Sequence, residues 1–432
     1  MFLIILLELN LKKINNMIQS IRGTKDILPD TVEYWNFVES SFRHTSHLYG
    51  YKELRTPIFE KTEVFSRSIG EATEVVNKQM YTFTDKGAES ITLRPEMTAA
   101  LVRSVVQNSL LHDSPLLRLW YFGPFFRFER PQKGRMRQFH QYGAECIGSA
   151  NPEADAEVIL LADSLFKSVG INEYKLFINT LGSDESRKLY LDELVKYFQK
   201  VKEKLSDDSK YRLETNPLRI LDSKNEEDTE LLKEAPLILD YLDNESKEHF
   251  DAVKDFLNGA GLTYTISPRL VRGLDYYNHT VFEFQSTVLG AQDSFGGGGR
   301  YNNLIEQLGG PSTPAVGFAL GIERILLILE NTDKLNKTEN TTKVYIVTAN
   351  QELIKYSINL ANKLREKNIG TILDLQKRSI KSQMKEANKV GVKYVIIIGD
   401  NEISRGILTI KNMQSSEQTE VPLDSIEKFK FE

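Results

Sequence analysis

The sequence predicts a multidomain fold of mixed α and β structure: a strand-and-helix core interrupted by a helical insert, then a small C-terminal α/β domain. Three observations predict it. The 432 residues exceed the roughly 250–300 that one hydrophobic core usually serves. Between about Tyr174 and Pro268 the composition turns to charge-rich helical stretches with sparse apolar positions. Beyond Lys343, β-rich apolar runs alternate with helical patterns in a βαβαβ order.

Taken in order, the N-terminal run MFLIILLELNLKK is too short for a membrane span, which needs about 20 apolar residues. It also lacks the flanks of a secretory signal. Residues 1–16 are expected to be an extension outside the fold, with Met17 as the natural start; an ordinary first helix is the alternative. The core's first part covers 17–172. Val32, Trp35, Val38, Phe42 and Tyr49 recur at roughly helical spacing, while Ser90–Leu93 and Leu116–Phe128 read as strands. The helical insert is expected over 173–268, its charge runs being solvated helix faces.

The core resumes over 269–330, with TVFEF a strand, SFGGGGRYNNL a tight glycine segment and AVGFALGIERILLIL an apolar helix. A polar linker follows at 331–342. In the last domain, 343–432, KVYIVT, TILD and YVIIIGD are strands separated by helices from about Leu353 to Lys367 and onward to Val390. There 15 basic and 11 acidic residues give +4, leaving −9 for the rest of a chain whose formal charge is −5.

That overall charge offers no global attraction to nucleic acid, so an RNA partner needs local basic patches. A hydrophobic fraction of 41% and a charged fraction of 27% are ordinary for globular proteins and do not suggest a disordered chain. Cys146 is the one cysteine, and no Cys/His group has zinc-ligand spacing, so neither an internal disulfide nor a structural zinc is expected; a reducing, cytoplasmic setting fits.

The segment WYFGPFFRFERPQKGRMRQFHQYGAECIG, Trp120–Gly148, reads as a long hairpin about a basic turn. Arg127, Arg130, Lys133, Arg135 and Arg137 stand against Glu129, with Phe126, Phe128 and Phe139 interleaved, a pattern suited to nucleotide or RNA or simply to a solvated basic hairpin. Arg127, within a strand among aromatics, needs an anionic partner, since an unpaired buried charge is costly. In SPRLVRGLDYYNHTVFEF, Arg272, Asp275, Tyr276 and Tyr277 precede a strand; a ligand site or an Arg272–Asp275 salt bridge with packed tyrosines both account for them. In the apolar helix, Arg324 beside Glu323 marks a polyanion contact or an exposed ion pair. Gly296–Gly299 ahead of Arg300 and Tyr301 allow close backbone approach to a ligand or form a strand corner. No GxxxxGK[ST] loop or strand-borne GxGxxG is present, so ATP would have to be held in another way.

Together and in this order these segments resemble bacterial-type histidyl-tRNA synthetases of class II. RGTKDILP and GYKELRTPIFEKTEVFSRSIGE look like the family's first motif region; TLRPE precedes the second, FRFERPQKGRMRQFHQ; GIER opens the third; LVRGLDYYN and FGGGGRY are similar to its histidine-specific signatures. The resemblance runs from about Ile18 to near the C-terminus. It implies an α+β catalytic core on an antiparallel sheet, an inserted helical domain, a C-terminal α/β (βαβαβ) anticodon-binding domain and a homodimer whose interface includes the first motif. It implies a ligase that activates L-histidine with ATP and Mg2+, no protein-only metal site, and transfer to tRNA(His). By matching position, Glu96, Thr98 and Gln141 would hold the substrate's amino group, and Glu145 and Tyr277 would read its imidazole. Arg127, Glu129 and Arg324 would bind ATP, Arg272 would contact the α-phosphate and the substrate carboxylate, and Tyr276 and Tyr301 would line the pocket. Arg130 and Gln132 would approach the tRNA acceptor end; Lys377, Arg378 and Lys381 are candidates for RNA contact or simply a solvated helix start. One departure is Met97, where glycine is expected after LRPE.

Overall fold

The computed structural model describes residues 18–70, 73, 75–336 and 342–431. The expectation for residues 1–16 and Met17, and that for linker residues 337–341, lie outside these. The chain divides into two compact units, the described residues up to 336 forming one and those from 342 the other.

The strands of the first unit are β1 (Lys52–Glu53), β2 (Phe59–Lys61), β3 (Tyr81–Thr84), β4 (Ser90–Leu93), β5 (Leu117–Phe126), β6 (Gln138–Ile147), β7 (Lys175–Thr180), β8 (Thr265–Ile266), β9 (Asn278–Gln285), β10 (Ser294–Arg300) and β11 (Ala315–Gly321). Eight build one sheet in the order β1-β5-β6-β11-β10-β9-β7-β8. Its six inner strands pair antiparallel, while β1 and β8 add at the edges in parallel. A small antiparallel sheet, β2-β4-β3, stands beside it.

Successive strand side chains alternate between faces, and this sheet buries both. Trp120, Tyr142, Phe282, Phe284, Phe318 and Leu320 join one core cluster with helices Pro29–Leu48, Pro152–Ser168 and Asn244–Gly259. Leu119, Tyr121, Val281 and Tyr301 join the other, with helices Thr62–Ile69 and Thr98–Gln107. The first helix starts where Pro29 occupies its opening turn, carries Asp30 there and His47 at its end, and buries Val38, Phe42 and Thr45.

Three expectations need correction. Ala315–Gly321 is a strand, not the start of the apolar helix, which begins at Ile322. A strand buried on both faces reads as a continuous apolar run, indistinguishable by periodicity from a buried helix. The expected insert, 173–268, takes in β7 and β8, which belong to the large sheet; the segment with a separate core, from Tyr190 to Ile238, is shorter. The glycine run lies within an inner strand, paired on both sides, rather than at a corner.

In the second unit, β12 (Thr342–Thr348), β13 (Gly370–Leu373) and β14 (Tyr394–Ile398) pair in parallel around helices Ile354–Glu366 and Ile380–Val390. Two antiparallel strands that sequence reading omitted, β15 (Ile407–Asn412) and β16 (Gln418–Pro422), complete the order β13-β12-β14-β15-β16.

Candidate active site

A cavity of about 400 Å3 opens on the face of the large sheet that carries Tyr121 and Tyr301. Glu96, Thr98, Arg127, Glu129, Gln141, Glu145, Arg272, Tyr276, Tyr277, Tyr301 and Arg324 all line it, although they span more than 220 positions of sequence. Arg130 and Gln132 do not: they are exposed in the hairpin turn, where Gln132 and Arg135 bridge through their backbones.

Glu145 lies on the floor, on β6, with 1% of its surface exposed. Its carboxylate accepts from Thr98 Oγ1 at 2.9 Å and from Tyr301 Oη at 2.7 Å. Burial pushes its pKa up to about 8 despite the lowering effect of those two donors. Space for it exists only because β11 has Gly317 opposite: a Cβ there would sit 1.5 Å from Glu145 Oε2. Tyr277 lines the same cavity. Glu96 accepts the backbone N–H groups of Thr98 (2.7 Å) and Ala99 (2.9 Å), satisfying two buried donors that have no intrahelical acceptor at the start of helix Thr98–Gln107. Gln141 Oε1 is buried with no protein partner.

The arginines converge from three elements. Arg127 leaves the end of β5, donates Nε to Pro95 O at 2.9 Å and stacks 5.3 Å from the Phe139 ring. Arg324, on the first turn of helix Ile322–Asn331, donates Nε to Gly134 O at 3.1 Å and Nη1 to Ser294 O. Burial lowers the pKa of both, as expected of cations held away from water without a matching carboxylate. Glu323 is not paired with Arg324; it accepts from the His140 backbone N–H at 2.9 and 3.0 Å, so the exposed Arg–Glu alternative fails. Arg272 pairs with Glu283 on β9, not with Asp275, and its buried Nε has no partner. Asp275 instead accepts from Asn216 Nδ2 at 2.8 Å.

The glycines of β10 serve this arrangement. A Cβ at Gly297 would meet Arg272 Cζ at 3.0 Å, and one at Gly299 would meet Tyr277 Cδ1 at 2.9 Å. Closer still are backbone carbonyls of β9, Phe282 O and Thr280 O, each 2.5 Å from the respective Cβ position, so neighbouring strand backbone and site side chains both crowd this strand. Arg300 turns the other way and is wholly buried against Asp155, with Nη1 donating to Ser149 O at 2.7 Å.

Met97 is 1% exposed, with Sδ 3.5 Å from Thr56 Oγ1 and 3.7 Å from Arg94 Nη1, so much of its added bulk packs into the core. Sequence reading missed Tyr121, Glu283, Arg219 and Asp222, all of which face the cavity. Glu283 carried a signal, being the one charge in the alternating run NHTVFEFQ. Arg219 and Asp222 did not, since they belong to a stretch that reads as solvated charge. In the second unit Arg378 is tied to Asp374 at 2.5 Å, whereas Lys377 and Lys381 are exposed.

A family model described as Histidyl-tRNA synthetase matches residues 23–325, and one described as Anticodon binding domain matches 343–430. The chain is 47% identical over 406 residues to the Histidine--tRNA ligase of Bacillus subtilis, covering 93% of this chain and 96% of that protein. It is 50% identical over 395 residues to the chloroplastic Histidine--tRNA ligase of Gracilaria tenuistipitata, covering 91% and 93%. The crystal structure of apo S. aureus histidyl-tRNA synthetase superposes with a TM-score of 0.82 at 40% identity, covering 96% of this chain and all of that one.

Proposed function

Because the chain belongs to the histidyl-tRNA synthetase family, whose members are aminoacyl-tRNA ligases, we propose that the cavity on its large sheet is where histidine meets ATP and then tRNA(His). The observation that carries this reading is Glu145, held at the cavity floor between Thr98 and Tyr301.

A buried polar acceptor left unpaired is costly, so a site that hydrogen-bonds an imidazole rejects side chains unable to complete it by orders of magnitude. Glu145, with Tyr277 alongside, reads the ring. Glu96, Thr98 and Gln141 take the amino group, a role supported by the unpartnered Gln141 Oε1. Tyr276 and Tyr301 wall the pocket, their rings 5.7 Å apart.

Activation joins a histidine carboxylate oxygen to the α-phosphorus of ATP as the bond to the β-phosphate oxygen breaks and pyrophosphate leaves. No protein nucleophile is required; the protein aligns two anions and neutralises the charge that shifts between them. Arg272 contacts the α-phosphate and the carboxylate, and Arg127 and Arg324, with Glu129, hold the rest of ATP. Among the described residues no group of three acidic, histidine or cysteine side chains could hold a metal ion. Mg2+ bound to ATP would neutralise phosphate charge in this step. The acyl group then passes to a ribose hydroxyl at the tRNA 3′ end, substrate phosphate oxygens or water accepting the proton. Arg130 and Gln132, exposed on the hairpin turn, meet that end.

The same reading makes the protein a homodimer joined through the first-motif region, working in the cytoplasm; no described helix is long and apolar enough to cross a membrane. ATP–pyrophosphate exchange with each amino acid in turn tests it. Exchange with histidine alone is expected, and Glu145→Ala should abolish it with the fold intact. Near-normal exchange by that variant would remove Glu145 from the site.

A further inference from the structure

We infer that the helical insert sets the working geometry of the loop that carries Arg272, Tyr276 and Tyr277, with Arg219 and Arg187 as positioning residues. The inference rests on the assignment of the cavity above. Residues 267–277 form neither helix nor strand, so no ladder satisfies their backbone groups. Side chains do so instead, and most come from the insert.

Arg219, on the short 3-10 turn Pro217–Asp222, donates Nη1 to Arg272 O at 3.0 Å. Arg187, on helix Asp184–Lys200, donates Nη1 to Asp275 O at 3.3 Å and to Tyr277 O at 3.2 Å. Asn216 Nδ2 reaches the Asp275 carboxylate. The core contributes Asn179 Nδ2 to Leu270 O at 3.0 Å, Ile178 O accepting from Ser267 N at 2.9 Å, and Ile69 O accepting from Asp275 N at 3.3 Å. Val271 packs against both the site-side core cluster and the insert's own core, so the loop is clamped between them.

The two arginines hold different parts of the loop. Arg219 grips the carbonyl of Arg272, whose guanidinium must follow charge moving at the α-phosphorus. Arg187 grips the segment bearing the tyrosines, which shape the histidine pocket. Arg187 does not line the cavity, and Arg219, which does, commits its Nη1 to the loop carbonyl. Losing Arg219 therefore acts mainly on turnover, and losing Arg187 on histidine affinity.

The experiment is ATP–pyrophosphate exchange by the full-length protein, per folded active site, with histidine binding followed separately by calorimetry. Arg219→Met is expected to lower kcat roughly ten- to hundredfold with a smaller rise in the histidine KM, and Arg219→Lys, which keeps a donor, to recover most of it. Arg187→Met is expected to weaken histidine binding in the calorimeter and raise KM with a smaller effect on kcat. Asn216→Asp, similar in shape but turning a donor into a carboxylate against Asp275, should also impair exchange and carries the test if Arg219→Met does not fold. Variants with wild-type kcat and KM per folded site would overturn the inference, as would losses that follow only the amount of folded protein. Absence of histidine-dependent exchange in the wild type would instead overturn the assignment of the cavity.

Discussion

Replacing Gly317, a cavity-lining residue with no side chain of its own, by alanine should disable histidine selection. A Cβ at 317 would lie 1.5 Å from Glu145 Oε2, 2.4 Å from Glu145 Cδ and 2.7 Å from Ala144 O. The last is backbone of the adjacent strand and yields little, so the Glu145 side chain must move. It cannot do so and keep both Thr98 Oγ1 at 2.9 Å and Tyr301 Oη at 2.7 Å. Hydrogen bonds to such a group contribute about 1–3 kcal/mol each, so losing both costs about 2–6 kcal/mol. If the loss carries through to histidine recognition, kcat/KM for histidine falls by about 30-fold to 10⁴-fold, at 1.36 kcal/mol per decade. The KM for ATP stays near its wild-type value, because the arginines approach from other elements. Exchange assays over a histidine titration, with circular dichroism to verify the sheet, give the answer. A folded Gly317→Ala protein with less than about a threefold change in kcat/KM would refute the argument that this glycine makes room for the carboxylate.

Glu145→Gln should flatten the pH dependence of stability. The folded pKa of Glu145, about 8, lies above its ordinary 4.5, so its contribution is fully present below pH 4.5 and is lost as pH rises through 8. The wild type therefore loses about 1.4 kcal/mol per pH unit from this group across that window; equal slopes for the two proteins in thermal melts between pH 6 and 8 would contradict this. Asp155→Asn leaves the fully buried Arg300 without its carboxylate and should cost about 3–5 kcal/mol. A urea midpoint matching wild type would show that the pair is dispensable. Met97→Ala should destabilise by about 2–5 kcal/mol through the cavity it leaves, with histidine KM little changed; the reverse pattern in melts and exchange kinetics would mean that Met97 acts on the substrate.

Much of this architecture was legible along the chain. The first helix, the basic hairpin and the alternation in the last domain are local patterns, and local pattern follows from periodicity, caps and turns. The long motifs were legible as well, and every residue they suggested for histidine or ATP faces one cavity. Less visible was anything decided by burial on both sides of a sheet. AVGFALG satisfies a buried strand and a buried helix equally, and only its pairing with β6 and β10 decides between them. β7 was obscured by the charge-rich sequence that follows it.

By itself, then, the sequence determined the chemical inventory: which arginines, carboxylates and tyrosines are available, and on what kinds of element they stand. Tertiary structure alone decided their partners. Arg272 pairs with Glu283 and not with Asp275, three positions away, because β9 brings Glu283 to the cavity face while Asp275 turns toward Asn216. Arg219 reaches the site because its turn in the insert packs on the loop of residues 267–277. Gly317 makes room for Glu145 only through strand register. The physical reason is common to all three: an ion pair, a buried carbonyl's donor and a steric vacancy depend on distances between segments far apart in sequence, which no local periodicity encodes.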